Sequence, residues 1–487
     1  MAEPLWLGLD VGTSAVKALV ADSDGCVVAD GSAPLTTASP QPGWSEQDPE
    51  DWWAALLLAV ARARDVAGDR WRDIAGIGLS GQMHGAVLLD ADRAVLAPVM
   101  LWNDTRAVAE SDALNAAVPA IADIAGVAAL PGFAAPKLLW IARERPALHA
   151  RIRHALMPKD WIGMRLHGQM LCDPSDAAGT HLFDQGARGW HAGLCKAAQV
   201  DPGWLPVVRA GDAVAGGLLE DAARHLGLRV GLPVAVGAGD TVAGAVGVGV
   251  VQAGRAVMSL GTSGQVFLCD DRHAPRAKGH VHAYAHTLDG VWFRMAAMLN
   301  GARPLAWYAG ATAQSVPDLL TAAGRAELTR VPLFLPYLTG ERTPHGDSAI
   351  RAGFLGLADG ASGAEMARAV VDGIAYSFAD GAQALGGLDG LSPLVTGGGA
   401  QSDLVLQTLA DVLGVPIRRP EGAALGPAAG AARLASVAAG AVAPTRLADE
   451  PPVARVFTPD ASQATRHQAR LGSFRELYRA IAPLGGF

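Results

Sequence analysis

The feature that most constrains this chain is a short turn that occurs twice. Leu5–Val11 and Ala15–Val20 read as apolar strands, and the turn Asp10-Val11-Gly12-Thr13-Ser14 joins them with a carboxylate, a glycine and two hydroxyls. Ser259-Leu260-Gly261-Thr262-Ser263-Gly264 repeats the Gly-Thr-Ser core after Ala256-Val257-Met258. Glycine lets backbone N–H groups approach a ligand closely, and successive N–H groups in a turn form a nest that suits an anion. Asp10 would repel such an anion, so a Mg²⁺ ion between the two, held through water, accounts for its position. Alone, the first turn also reads as a plain hairpin with a polar tip. Two copies far apart imply two similar half-molecules facing one nucleotide, because internal repeats set the fold.

The length, 487 residues, exceeds one ordinary core and implies two large domains. A net charge of −8 speaks against nonspecific nucleic-acid binding as the main task. Met1-Ala2-Glu3-Pro4 lacks a basic leader region and no apolar run reaches membrane length, so neither a signal peptide nor a transmembrane helix is expected. Cys26, Cys172, Cys195 and Cys269 are scattered without a Cys-x-x-Cys pair, which favours a reducing cytoplasm over a disulfide framework or zinc site.

Further along, Gly25–Ala29 reads as a third strand. Asp48 is placed to cap a helix with Pro49 at its first position and acids in its first turn. Ile74–Ser80 is a buried strand that runs into the polar loop Gly81-Gln82-Met83-His84-Gly85, and Val99–Trp102 ends likewise in Asn103-Asp104-Thr105-Arg106. Ligands of open α/β sheets gather at strand ends, so both loops are candidates for substrate contact. Residues 107–210 carry more helix signals and read as an insertion forming one wall of a cleft. Leu232–Asp240 is another strand ending in glycines and an acid. The glycines from Gly244 to Gly249 have the wrong order for a dinucleotide fingerprint and read as close helix packing. No Gly-Lys-Ser/Thr phosphate loop occurs. In the second half, Phe334–His345 is a polar loop after a strand, Ser362-Gly363-Ala364-Glu365 is a capping box for a helix through Leu385, and Leu394–Thr396 leads into Gly397-Gly398-Gly399-Ala400 before a helix starting at Ser402 or Asp403. Such a glycine run leaves room for a flat ring or a phosphate.

Asp10–Ser14, Gly81–Gly85, Gly239-Asp240, Ser259–Gly264, Gly340-Glu341-Arg342-Thr343-Pro344-His345 and Gly397–Ala400 together resemble the FGGY carbohydrate kinases, from about residue 5 to 435. The resemblance implies an α/β fold of two actin-like (ribonuclease H-like) domains of duplicated topology around a central cleft. Residues 1–245 would form the sugar side and 246–487 the ATP side. It implies ATP-dependent phosphorylation of a ketopentose, D-xylulose first, with Mg²⁺ and a small-molecule sugar as partners and a homodimer allowed. By the same resemblance Asp240 aligns with the general base and Asp10 with the carboxylate near Mg²⁺ and the γ-phosphate. Gln82, Met83, His84, Trp102, Asn103, Asp104 and Thr241 fall on the sugar side. Gly12, Thr13, Ser14, Gly261, Thr262, Ser263, Gly398, Gly399, Ala400 and Asp403 fall on the nucleotide side. Thr241 departs from the family's usual amide, and a hydroxyl binds fewer groups, which leaves the exact sugar open. A kinase for another ketose or polyol, such as ribulose or L-xylulose, and a non-catalytic actin-like nucleotide module are the alternatives.

Plainer roles exist for several of these residues. His84 without its flanking Gln82-Met83 and Gly85 would read as a buried histidine satisfied by backbone. Asp240 reads as the cap of a helix starting at Thr241, where the helix dipole would keep it ionised. Lys17 closes the hairpin or faces solvent. His280, His282 and His286 alternate as on one face of a strand, and exposed histidines on a hairpin are expected there ahead of a metal site.

Overall fold

The structure is a computed structural model, described here for residues 3–276, 279–422 and 426–484. Its two mixed sheets have seven strands each. In the N-terminal half they are β1 (Leu5–Val11), β2 (Ala15–Ala21), β3 (Val27–Pro34), β4 (Ile74–Gly81), β5 (Val214–Gly217), β6 (Pro233–Ala235) and β7 (Ala238–Gly239). In the C-terminal half they are β8 (Ala256–Leu260), β9 (Gly264–Asp270), β10 (His282–Ala285), β11 (Trp292–Met298), β12 (Leu394–Thr396), β13 (Ile417–Pro420) and β14 (Val453–Phe457). The helices that matter for the site are α1 (Pro49–Ala67), α2 (Ala134–Glu144), α3 (Pro158–His167), α4 (Pro174–Ala178), α5 (Asp240–Gly247), α6 (Gly363–Leu385), α7 (Asp403–Leu413) and α8 (Pro427–Ala438).

The repeated turn reports a repeated sheet. The order β3-β2-β1-β4-β6-β5 corresponds to β11-β9-β8-β12-β13-β14, with β7 beside the end of β4 and β10 outside β11. Every corresponding pair also runs in the same sense. β1–β2, β2–β3 and β5–β6 are antiparallel, as are β8–β9, β9–β11 and β13–β14. β1–β4 and β4–β6 are parallel, as are β8–β12 and β12–β13. Both Gly-Thr-Ser turns therefore join the first two strands of equivalent sheets.

Local chemistry forms these elements as the sequence dictates. Asp48 accepts from the Glu50 N–H at the start of α1, and Trp52, Trp53, Leu56 and Val60 face the core. Ser362 and Glu365 complete the capping box of α6. Ser402 caps α7. The third strand begins at Val27 because Gly25, at φ 86°, is still in the turn. No helix among the described residues is long and apolar enough to cross a membrane.

The two halves meet through α5 and α8, the helices that follow β7 and β13. α8 lies on the N-terminal sheet and approaches it closely at two glycines. A Cβ on Gly8 or on Gly78 would sit 1.8 Å from the carbonyl oxygen of Ala428 or Ala431. α5 places Val242 and Val246 in a core shared with Val257 and Phe267 of the C-terminal sheet. Against α5 itself, a Cβ on Gly430 would meet the Ala243 carbonyl oxygen at 1.8 Å, and one on Gly247 would meet the Gly430 nitrogen at 3.2 Å. The reading of close helix packing thus holds at Gly247. It fails at Gly244, which has open space before it and lines the cleft.

The histidines of β10 correct another expectation. His282 and His286 are buried, not exposed, because β10 packs against the N-terminal half: the Ala283 N–H donates to the Gly126 carbonyl, and His282 lies edge-on to Phe133. Among the described residues no group of three or more metal-ligating side chains forms.

Gly430→Ala should force α5 and α8 apart and lower the melting temperature by an amount equivalent to about 1–3 kcal/mol, the usual cost of overpacking. A thermal melt indistinguishable from that of the unaltered chain would contradict this account of the interface.

Candidate active site

Three strand ends converge on two carboxylates. Asp10 of β1 is level with Ser80 of β4, and Ala238 of β7 is level with Ser80 on the other side. Two residues beyond Ala238, Asp240 opens α5. Asp10 is 5% exposed, and its Oδ1 is buried with no hydrogen-bond partner. Burial, reinforced by the negative charge of Asp240, pushes the Asp10 pKa up to about 7, against the Ser80 hydroxyl and the Lys17 charge. Burial also pushes Asp240 up to about 6. Its opponents are the Thr241 N–H, 2.6 Å from Oδ1, and the Thr241 hydroxyl at 3.3 Å. Asp240 is thus the first residue of the helix and not its cap, and desolvation outweighs the stabilisation expected at a helix start. Thr241 is turned to Asp240 itself.

The Gly81–Gly85 loop closes one side of the site. His84 sits at φ 72°, and its Nδ1 is 2.7 Å from the Gly179 carbonyl oxygen. A carbonyl only accepts, so Nδ1 carries the proton and Nε2 is left as an acceptor. Burial lowers the His84 pKa to about 3, and the ring is neutral at working pH. Phe133 lies edge-on to His84 at 4.6 Å and stacks on His181 at 4.2 Å. Met83 is wedged so tightly that a Cβ on Gly179 or Gly239 would approach it within 2.9 Å. Arg342, from the Gly340–His345 loop of the other half, adds its charge to burial in lowering the pKa values of His84 and His282.

Other residues singled out from the sequence are engaged with the protein. Gln82 accepts from the Thr13 hydroxyl at 2.8 Å and donates to Gln47 at 3.0 Å, and the Trp102 indole donates to Thr13 Oγ1 at 3.0 Å. The first turn is thereby tied to the Gly81–Gly85 loop through side chains. Asp104 is buried, accepts from the Ser45 N–H at 2.8 Å and pairs with Arg106 at 2.6 Å. Asn103 is exposed. Lys137 of α2 is the residue whose role the sequence did not disclose. Its buried Nζ donates to three carbonyls, those of His84 and Met100 at 3.1 Å and Leu101 at 2.6 Å. An ammonium has three protons to give, so this one matches three carbonyls of the two loops.

On the opposite side, Gly397 and Gly399 fold over the second turn. A Cβ on Gly397 would meet Leu260 backbone at 2.8 Å, and one on Gly399 would meet the Leu260 side chain at 2.4 Å. The carbonyls of Gly261 and Thr262 are held by the N–H groups of Ala302 and Gly301, at 2.7 and 3.0 Å. Gly398 is open, Ala400 is buried, and Thr262 and Ser263 are exposed at the tip. In the first turn Gly12 is half-buried and Ser14 exposed. Asp403 pairs with Arg419 at 2.8 Å and with Arg455. A cleft of about 250 Å³ runs between the halves, lined by Asp240, Thr241, Ser259, Gln265, Gly397 and Pro427 among others. Gln265 and the Gly426-Pro427 start of α8 were not foreseen as cleft residues. Gly-Pro before an alanine-rich run was their only sequence signal.

Comparison with known proteins agrees with this geometry. Residues 5–247 match the N-terminal domain, and residues 256–439 the C-terminal domain, of the FGGY family of carbohydrate kinases. The xylulose kinase of Escherichia coli strain K12 is 40% identical over 99% of this chain and 100% of its own length. That of Klebsiella pneumoniae is 38% identical over the same shares. Among solved structures, a "xyloylose kinase" from Brucella ovis superimposes with a TM-score of 0.94 at 39% identity, covering 99% of this chain and 100% of its own.

Lys137→Met should leave these three carbonyls without their donor, at about 1–3 kcal/mol for a buried unsatisfied group. Hydrogen exchange should then quicken in peptides covering residues 81–86 and 99–103. Unchanged exchange there would show that Lys137 does not hold the loop.

Proposed function

The chain belongs to the FGGY family of carbohydrate kinases, and from that membership we propose that it transfers the γ-phosphoryl group of ATP to the terminal hydroxyl of D-xylulose, forming D-xylulose 5-phosphate. Residues 1–245 carry the sugar side and 246–487 the ATP side. The observation that carries the reading is the place of Asp240, at the end of β7, lining the cleft that also reaches Ser259 and Gly397 of the second half. Relatives named xylulose kinase, at 32–40% identity over most of the chain, support the choice of sugar.

Each residue then has a task that its surroundings support. Asp240, ionised at neutral pH but raised toward 6, takes the proton from the attacking hydroxyl. His84 offers Nε2 as a neutral acceptor to a sugar hydroxyl, and Met83 packs beside it. The exposed turn at Thr262 and Ser263 and the open Gly398 supply backbone groups to the phosphates and base of ATP. Asp10 fits a Mg²⁺ site: its buried Oδ1 lacks a partner, and its pKa of about 7 marks a carboxylate in need of positive charge. Bound Mg²⁺ would supply charge neutralisation for the transferring phosphoryl group. Positioning and charge do most of the work in such a transfer, and the base adds typically ~10²–10⁴-fold.

A coupled assay with ATP·Mg²⁺ tests the reading across D-xylulose, L-xylulose, D-ribulose and the corresponding polyols. D-Xylulose should give the highest kcat/KM. Asp240→Asn should lower kcat on it by at least ~10²-fold while nucleotide affinity stays nearly intact. A higher kcat/KM on another sugar would move the substrate assignment, and near-normal kcat in Asp240→Asn would remove the base.

A further inference from the structure

Beneath the Asp240 loop lies a buried ionic cluster to which phosphoryl transfer assigns no role. Lys159, in the first turn of α3, is fully buried, and its Nζ lies 2.5 Å from Asp160 Oδ1, 3.0 Å from Asp173 Oδ1 and 3.6 Å from Asp176 Oδ2. One ammonium thus faces three carboxyl groups. Asp176 is the most distant, and neither of its oxygens has a hydrogen-bond partner. Burial, together with the nearby carboxylates of Asp160 and Asp173, holds its pKa well above the ordinary range. Burying such a group of charges is costly, and well-packed apolar residues are often as stable. Packing therefore does not account for it.

What the ammonium orients is Asp173. With Oδ1 on Lys159, Asp173 turns Oδ2 to Ser175, accepting from its N–H at 2.8 Å and its hydroxyl at 2.5 Å. The N–H bond is the ordinary cap of α4. The hydroxyl bond is not, and it sets the direction of the next one. Having given its proton to Asp173, Ser175 Oγ accepts from the Gly239 N–H at 3.1 Å. Gly239 immediately precedes Asp240 and is level with Gly81 at the end of β4.

We propose that Lys159, Asp173 and Ser175 are positioning residues for the general base, an ammonium–carboxylate–hydroxyl relay that fixes the Ala238–Gly239 peptide directly ahead of Asp240 and with it the place of the Asp240 carboxylate. The proposal rests on the reading of Asp240 as the base. The Ser175 hydroxyl and the Gly239 N–H each have one acceptor, Lys159 is ion-paired to Asp173, and the relay touches the backbone of the Asp240 loop without lining the cleft. Removal of the hydroxyl leaves the buried Gly239 N–H unpaired and the peptide free to turn. Misplacement of a reacting group by 1 Å can cost on the order of 10²-fold in rate.

The test is a double-mutant cycle between Ser175→Ala and Asp240→Asn, read in kcat, in KM for D-xylulose and in the affinity for a non-hydrolysable ATP analogue. In the otherwise unaltered chain, Ser175→Ala should lower kcat by ~10-fold or more with little change in KM or nucleotide affinity, and Ser175→Thr, which keeps the hydroxyl, should restore it. In the Asp240→Asn background the same alanine should cost nothing further. Should the alanine form not fold, Ser175→Cys, of near-equal volume and weaker hydrogen bonding, gives the same comparison. A kcat unchanged by Ser175→Ala, or lowered equally in both backgrounds, overturns the relay. Near-normal kcat in Asp240→Asn alone overturns the base instead, which separates the two failures.

Discussion

The site depends on two carboxyl groups forced into one desolvated place. Asp10 and Asp240 come from strands on either side of β4, and the parallel register puts their ends together. Among the described residues neither forms a salt bridge. Lys17, level with Asp10 across the hairpin, is exposed and only moderates its charge. The sheets hold the carboxylates there because their backbones are committed to ladders; burial raises both pKa values, and the charge of Asp240 adds to the rise at Asp10. Such strain is what a site for a cation and a proton needs. In the proposed function Asp10 would gain charge compensation from a bound metal, and Asp240 would stay basic enough to accept a proton near neutrality.

The architecture around the pair follows from keeping two equivalent sheets close enough to share one cleft. α8 can reach the N-terminal sheet because Gly8 and Gly78 present no Cβ, and it can cross α5 because Gly430 does the same. The helices that follow β7 and β13 thus pack on each other at the interface. Asp240 stands at the start of one of them and the Gly426-Pro427 start of the other lines the same cleft. The place where the halves join is therefore also the place where the reactants would meet.

Much of this was legible in the sequence because the evidence was local. Asp48-Pro49, Ser362–Glu365 and Ser402 are caps, and their chemistry acts within one helical turn. The repeated Gly-Thr-Ser turn announced the duplicated sheet, since each copy joins the first two strands of its half. What escaped was set by tertiary contacts. Alternation in His280, His282 and His286 reports one face of a strand but not that the other half covers it. A lysine in an apolar helix does not reveal that Lys137 meets three carbonyls from two distant loops. Thr13 reads as a phosphate-turn hydroxyl, yet it donates its hydrogen bond to Gln82, 69 residues away. The upward shift of Asp240 depends on walls that only the folded chain supplies.

The pH profile of kcat/KM for D-xylulose at saturating ATP·Mg²⁺ tests the account most directly. This parameter reports the base before the sugar binds. The base must be ionised, so activity should be full above the folded-state pKa and fall as pH drops through it. With Asp240 raised to about 6 by burial, the acid limb should have its midpoint near that pH. Below it the rate should fall about tenfold per pH unit. A profile flat down to the ordinary aspartate range near ~4 would contradict a desolvated Asp240 as the proton acceptor.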